Sequence, residues 1–330
     1  MNLSNLRSKP SIPRFIVKNN VLCAATVQRI RTNFIHFPHV QRILTSLDRV
    51  YSYHCINEEA DHIMLVGESG VGKSTLLAMY ANKHPPIEHD EFTEVPVLYA
   101  ALGPSPTPKT LAHTLLKALG DQKWYMGREV ELSARLVFLI KQCHVRLVII
   151  DEANHLIDRG GEKTLHTAAD WIKRLVDATR VSFVLAGIPR TTRLLDTNDQ
   201  LRDRFREVIE IERLSIDSKP AALEFCSALR TFKRYLKDLP TIDISSSDVT
   251  SLFAFATDGR LRDIRRLLVR AVELAYEQHS PKLTDLILAE SFRQVIYPCA
   301  PDNRNPFHKT FNKTPLVRIG EPFASDKGAK

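Results

Sequence analysis

No apolar run in this chain of 330 residues reaches the ~18 residues needed for a membrane-spanning helix. The N-terminus is basic but lacks a long apolar stretch followed by a cleavage site. Both absences point away from membrane insertion and export, and a cytoplasmic protein is expected, with no membrane partner. Cysteine is sparse: Cys23, Cys55, Cys143, Cys226 and Cys299 are odd in number, scattered and without C-x-x-C spacing. That argues against a disulfide framework or a cysteine-built zinc site and favours a reducing compartment. Acid is nearly missing from one region, since residues 1–50 carry eight Lys/Arg and a single acid, Asp48. Internal repeats are absent, and so is any motif that reads DNA bases.

What the chain does have is enough apolar residue, 44%, to bury a core of one large or two modest domains. Its 46 basic against 38 acidic residues give a net charge of +8, which favours a polyanionic partner. The organising stretch is Gly67-Glu68-Ser69-Gly70-Val71-Gly72-Lys73-Ser74-Thr75, which fits G-x-x-x-x-G-K-[ST]. Before it, Ile63-Met64-Leu65-Val66 is a short run of buried-strand type; after it, Thr75 to Ala81 begins a helix. Strand, glycine loop and helix aim successive backbone N–H groups and the positive end of the helix dipole into one concavity, where phosphate is favoured. All nine residues are candidate ATP contacts. Lys73 is expected at the β- and γ-phosphates and the Ser74 hydroxyl on Mg²⁺.

The rest of residues 61–211 alternates strand and helix. Strands are expected at Pro96–Leu102, Val145–Glu152, Val181–Ala186 and Val208–Ile211, with helices at Thr110–Leu119, Glu129–Cys143 and Leu165–Ala178. Continuous apolar strands between helices imply a five-stranded parallel sheet covered on both faces, an α/β fold. After Ser215 only helical spacing remains, over Lys219–Leu236, Ser247–Thr257, Arg262–Gln278 and Leu283–Val295, which predicts a small all-α lid. Residues 1–20 read as an extended basic arm and Ala24–Arg31 as the start of a helix. Residues 298–330, with Pro301, Pro306, Pro315 and Pro322 among polar residues, read as a disordered tail. The expected divisions are an arm and partner-binding segment at 1–33, an ATPase core at 34–214, a lid at 215–297 and the tail.

Asp151-Glu152 ends the third of the five strands, at the edge where open α/β sheets bind ligands. One acid, Asp151, suits the Mg²⁺ shell and the second, Glu152, suits the base that deprotonates the attacking water. Two arginine clusters follow, Arg202-Asp203-Arg204-Phe205-Arg206 before the fifth strand and Gly259-Arg260-Leu261-Arg262 opening a lid helix.

Together the P-loop, the strand ending in Asp-Glu, the R-F box and G-x-x-R resemble the AAA+ ATPases. The segments Val66-Gly67-Glu68-Ser69, Ile150-Asp151-Glu152, Ala186-Gly187-Ile188-Pro189 and Asp199-Gln200-Leu201 with Arg204-Phe205 resemble the TniB/TnsC family of transposition regulators. The shorter TnsC proteins of CRISPR-associated transposons look most similar. The resemblance runs from about Phe34 to Val295. It implies an arginine finger at Arg204, with Arg202 as its rival, and a sensor-2 arginine at Arg262. It also implies that Ile35–His39 lies near adenine. At the sensor-1 position, Gly187-Ile188 offers no Asn or Asp.

The resemblance further implies an ATPase with ATP and Mg²⁺ as cofactors, working as a homo-oligomeric ring or filament around double-stranded DNA. A TniQ-like target selector and a TnsAB- or TniA-like transposase are the implied protein partners. Lys109, Thr110, Lys123 and Arg128, on loops after the second strand, are the candidate DNA contacts; the basic arm competes with them. Two other functions remain open on sequence alone, a helicase loader or replication initiator and a nucleotide-gated scaffold with little turnover.

Overall fold

A computed structural model describes residues 14–32, 37–53, 60–104, 106–158, 161–278 and 280–324. The chain divides into two units, His36–Arg213, and Met1–Ile35 together with Leu214–Lys330. Helix α1 (Arg14–Thr32) therefore belongs to the second unit, and the core begins with α2 (Pro38–Tyr53).

In the core, β1 (Ile63–Gly67) runs through the P-loop into α3 (Lys73–Asn82). A short antiparallel hairpin follows, β2 (Ile87–Glu88) with β3 (Thr93–Glu94). Next come β4 (Val97–Ala101), α4 (Pro108–Ala118), α5 (Glu129–Gln142), β5 (Leu147–Asp151), α6 (His155–Asp158) and α7 (Gly161–Thr179). The unit closes with β6 (Ser182–Gly187), α8 (Arg193–Asp196), α9 (Asp199–Arg204) and β7 (Glu207–Ile211). The five long strands form one sheet in the order β4-β5-β6-β1-β7, every pairing parallel, and helices flank it.

Burial follows from position in that sheet. Every residue of the inner strands β1, β5 and β6 is buried, which is why they read as unbroken apolar runs. Edge strand β7 exposes Val208 and Glu210 and buries only Ile211 fully, so its sequence alternates. The register sets Gly67 opposite Ile211, Val66 opposite Gly187, and Ala101 opposite Asp151. The P-loop and Asp151 thus leave the sheet at the same, C-terminal, edge.

The second unit is helical: α10 (Lys219–Tyr235), α11 (Ser247–Thr257), α12 (Leu261–Tyr276) and α13 (Asp285–Val295). Ser218, Ser246 and Thr284 cap α10, α11 and α13 by accepting the N–H of Ala221, Val249 and Ile287. Such caps contribute about 1 kcal/mol each. The apolar stripe of α12, Ile264, Leu267, Leu268, Ala271, Val272 and Ala275, is fully buried.

Two expectations are corrected in this unit. The chain is helical from Arg14, so residues 14–20 are not an extended arm; residues 1–13 lie outside the described part. Helix α1 packs on α12 and α10, and Arg29 pairs with Asp238 at 2.6 Å. Its buried stripe includes Asn19 and Thr26 beside Ile30. Those polar residues hid its periodicity from a hydrophobic reading.

The tail is ordered over residues 298–324. Phe307 and Phe311 stack edge-on against Phe253 and Phe255 of α11. Arg304, 5% exposed, donates to both oxygens of Glu321 at 2.6 and 2.7 Å and to the Pro315 carbonyl at 2.8 Å. One buried, fully engaged arginine organises a proline-rich segment that composition alone marks as unstructured.

Candidate nucleotide site and its surroundings

Helix α3 begins at Lys73 with no side-chain cap, because Gly72 stands at its N-cap in the left-handed region (φ 107°). A Cβ is disfavoured there. The first N–H groups of a helix have no partner within it, and here no cap side chain takes them either, which suits an anion. Lys73 is 8% exposed, and its ammonium donates to the carbonyls of Gly67 (2.7 Å) and Glu68 (2.9 Å). The cation is thus pinned across the loop it follows. Ser74 is half-buried and Thr75 exposed one step along the helix. The Glu68 carboxylate approaches Arg213, just past β7, at 3.7 Å.

Two positions away in the sheet, β5 delivers Asp151 and Glu152. Strand spacing puts this acid strand about 10 Å from the P-loop strand, with β6 between them. Asp151 is 1% exposed, and both of its oxygens are engaged. Oδ1 accepts the Glu152 N–H at 2.8 Å and Oδ2 accepts the Tyr99 hydroxyl at 2.9 Å. Burial, and next the negative charge of Asp151, push the Tyr99 phenol well above its ordinary pKa, so it stays a donor.

Glu152 takes a left-handed backbone (φ 56°), a conformation that costs a non-glycine residue on the order of 1 kcal/mol or more. The turn is held because Ala153 N–H donates to Ala186 O at 2.8 Å and His155 N–H to Glu152 O at 3.0 Å. It swings the half-buried Glu152 out of the line of β5.

No group of three or more His, Cys, Asp or Glu among the described residues is arranged to hold a metal. The oxygens offered at that sheet edge, the Ser74 hydroxyl and the Asp151 carboxylate, are hard ligands of the kind Mg²⁺ takes when phosphates and water complete its shell. The donor set fits Mg²⁺ with a nucleotide and does not fit a zinc-type centre.

Arg204 stands elsewhere. It ends α9, ahead of Glu207, which pairs with Ile63 at the start of β1. It therefore lies at the N-terminal edge of the sheet, one strand length or roughly 13 Å from the P-loop edge. Its Nε and Nη2 both reach Asp177 at 2.6 Å, and Nη1 donates to the Gln200 carbonyl at 2.9 Å. Arg204 and Asp177 line an open cleft of about 930 Å³ with Arg49, Asp61, Arg180 and Glu207. His62, in the same wall, accepts the Phe183 N–H on Nδ1 at 3.1 Å. Burial lowers its pKa to about 4, against the opposing pull of Asp61. Arg202 points differently, onto Asp199 at 2.6 Å, with both side chains largely in solvent.

In the second unit, Arg262 lies in the first turn of α12, half exposed, with Nε 3.8 Å from the buried Asp263 carboxylate. The glycine of G-x-x-R is there for space: a Cβ on Gly259 (φ 69°) would meet the Leu214 carbonyl oxygen at 1.7 Å.

The loop candidates separate. Lys109 and Lys123 are exposed. Thr110 is used locally, in a reciprocal cap with Thr107 at the start of α4. Arg128 grips Glu131 at 2.8 Å in the first turn of α5. Trp124 packs on the core beneath Lys117, while Tyr125 stays 58% exposed. Of residues 35–39, residues 35 and 36 lie outside the described part, and Phe37 is buried. Tyr99, Asp177 and Arg213 escaped the sequence reading, because each matters through a partner distant in the chain.

A five-stranded parallel sheet with the P-loop strand and the acid strand separated by one other strand, and an all-α unit after it, defines an AAA+ P-loop ATPase fold. Solved structures agree. The ORC2 protein of Aeropyrum pernix in ADPNP–ADP complexes superposes with a TM-score of 0.60 at 16% identity, over 83% of this chain and 72% of that one. The ORC1 protein of the same organism, in complex with DNA, gives 0.56 at 16%, over 81% and 67%. Drosophila ORC bound to DNA gives 0.52 at 13%, over 92% and 73%. The chain belongs to the bacterial TniB protein family, whose model matches residues 26–214. No curated protein sequence matches it significantly. Among the described residues no helix is long and apolar enough to cross a membrane.

Proposed function

We propose that this TniB-family protein is an ATP-hydrolysing DNA-binding switch that assembles on double-stranded DNA and couples target-site choice to transposase recruitment. The observation that carries the reading is the shared sheet edge of Lys73 and Asp151-Glu152, with Arg204 at the opposite edge. Lys73 and the N–H groups of the P-loop, Gly67 to Thr75, bind the phosphates. Ser74 and Asp151 hold Mg²⁺, which when bound neutralises charge on the phosphate oxygens. Glu152, carried off the strand by its left-handed turn, orients the attacking water and takes its proton.

Arg204 is too far from its own P-loop to serve it, which favours action on the nucleotide of an adjoining subunit. ATP then bridges subunits, and hydrolysis loosens a ring or filament. Arg262 is assigned the sensor-2 role by the family resemblance alone. Double-stranded DNA is met by exposed Lys109 and Lys123 without strong sequence preference. Thr110 and Arg128 contribute less, since the Thr110 hydroxyl serves a helix cap and the Arg128 guanidinium pairs with Glu131. A TniQ-like selector and a TnsAB- or TniA-like transposase are the partners, in the bacterial cytoplasm.

The test is Glu152→Gln, which keeps the size of the side chain but removes the base. It is expected to retain nucleotide binding and assembly on DNA while hydrolysing ATP about 100-fold more slowly or worse. A rate within a few-fold of the parent, measured as phosphate release from DNA-bound protein, would remove Glu152 from the role.

A further inference from the structure

We infer that Tyr99 is the positioning residue of the metal-side acid: its hydroxyl sets the Asp151 carboxylate in the orientation that Mg²⁺ requires. The inference deepens the proposed function and rests on its assignment of Asp151 to the metal.

The geometry comes from the sheet. Ala101 of β4 stands opposite Asp151, and Tyr99 two residues earlier projects from the same face. A tyrosine is long enough to span that diagonal, and its hydroxyl closes on Oδ2 at 2.9 Å. With the Glu152 N–H on Oδ1 at 2.8 Å, the carboxylate is held at both oxygens. One donor is backbone, and any residue except proline would supply it. The other is a side chain that the sheet itself does not need, since phenylalanine would fill the same half-buried place.

Each carboxylate oxygen keeps a second lone pair, so the two donors fix the plane of the group without using up its capacity for a metal or its water. Ligand partners of this kind typically change metal affinity by 10- to 100-fold when removed. A hydroxyl that merely satisfied a buried acid would behave otherwise. Its loss would lower the stability of the fold and leave the dependence of nucleotide binding on Mg²⁺ intact.

The experiment compares Tyr99→Phe, Asp151→Asn and the double variant in the full-length protein. The readout is the affinity for a fluorescent non-hydrolysable ATP analogue, with excess Mg²⁺ and with chelator. The ratio of the two affinities is the gain due to the metal. Asp151→Asn is expected to remove most of that gain. Tyr99→Phe should reduce it about tenfold, the lower end for such partners, with affinity in chelator unchanged. The double variant should match Asp151→Asn, because Tyr99 acts only through that acid. If Asp151→Asn lowers the gain and Tyr99→Phe leaves it at the parent value, Tyr99 is a packing residue and the inference fails. If Asp151→Asn leaves the gain intact, the metal-side assignment itself falls, and the inference with it. A further loss in the double variant would also overturn it, since Tyr99 would then act by another route.

Discussion

At the C-terminal edge of the core sheet the P-loop and the acid pair leave strands separated by one other, whereas at the N-terminal edge the charges answer one another. On the first side, α3 opens without a cap, Lys73 is pinned over the loop, and Asp151 is oriented by two donors. On the second side, Arg204 is bound to Asp177, and Arg49 reaches both Asp61 and Glu207. The same five strands thus carry an edge where one buried lysine stands with an acid pair and a face whose charges pair with one another. The difference teaches what each edge is for. Under the proposed function the first edge would hold the nucleotide, and the second would keep Arg204 ordered on Asp177 until a neighbour's phosphate competes for it.

The sharpest way to break that comparison is to separate the two edges genetically. Arg204→Ala is expected to cut ATP hydrolysis in the DNA-bound assembly by about 10³-fold, the low end for an arginine finger, with nucleotide affinity little changed. Mixed with Lys73→Ala subunits it should regain activity, since each protein then supplies the edge the other lacks. Co-assembled mixtures that stay inactive at every ratio, measured by phosphate release, would count against Arg204 and leave Arg202 to be tried.

The balanced edge also makes a pH prediction. His62 is neutral in the fold, with a pKa near 4 against an ordinary 6.5, chiefly because it is buried. Between those values the unfolded chain binds a proton that the folded chain refuses, so stability falls as pH drops through that window. A difference of about 2.5 units corresponds to about 3 kcal/mol. Thermal unfolding between about pH 7 and pH 4.5 should show this loss, and His62→Leu should flatten it while lowering stability throughout. An equally steep acid loss in His62→Leu would assign the effect to other groups.

The smallest effect concerns DNA. Lys109→Ala should weaken binding to all duplex sequences alike and reduce the slope of log K against log salt by about one per subunit. Thr110→Ala and Arg128→Ala should change that slope less than Lys109→Ala does, because Thr110 is uncharged and held in a helix cap and Arg128 already pairs with Glu131. If removing residues 1–13 flattens the slope while Lys109→Ala does not, the basic N-terminus carries the DNA contact instead.

What could be read without coordinates was whatever lies within a few neighbouring residues. The P-loop is one turn of backbone whose glycines, lysine and serine must be adjacent, and Asp151-Glu152 announces itself by ending a run of buried strand. The inner strands were legible because burial on both faces confines polar residues to their ends, Ser182 in β6 and Asp151 in β5. Hairpin β2–β3 was not, since strands of two residues, Ile87–Glu88 and Thr93–Glu94, carry no period at all.

The sequence by itself determined the parallel α/β core, the phosphate loop and the acid pair, because each is written in local spacing. Only the tertiary structure decided the rest. It joined α1 to the helices after residue 214 through a stripe that includes Asn19 and Thr26. It folded residues 298–324 around Arg304 and Glu321, seventeen positions apart. It brought Tyr99 to Asp151 across fifty-two residues of chain. Contacts of this kind depend on which surfaces meet once strands and helices have formed, and no spacing along a chain encodes a meeting between parts that far apart.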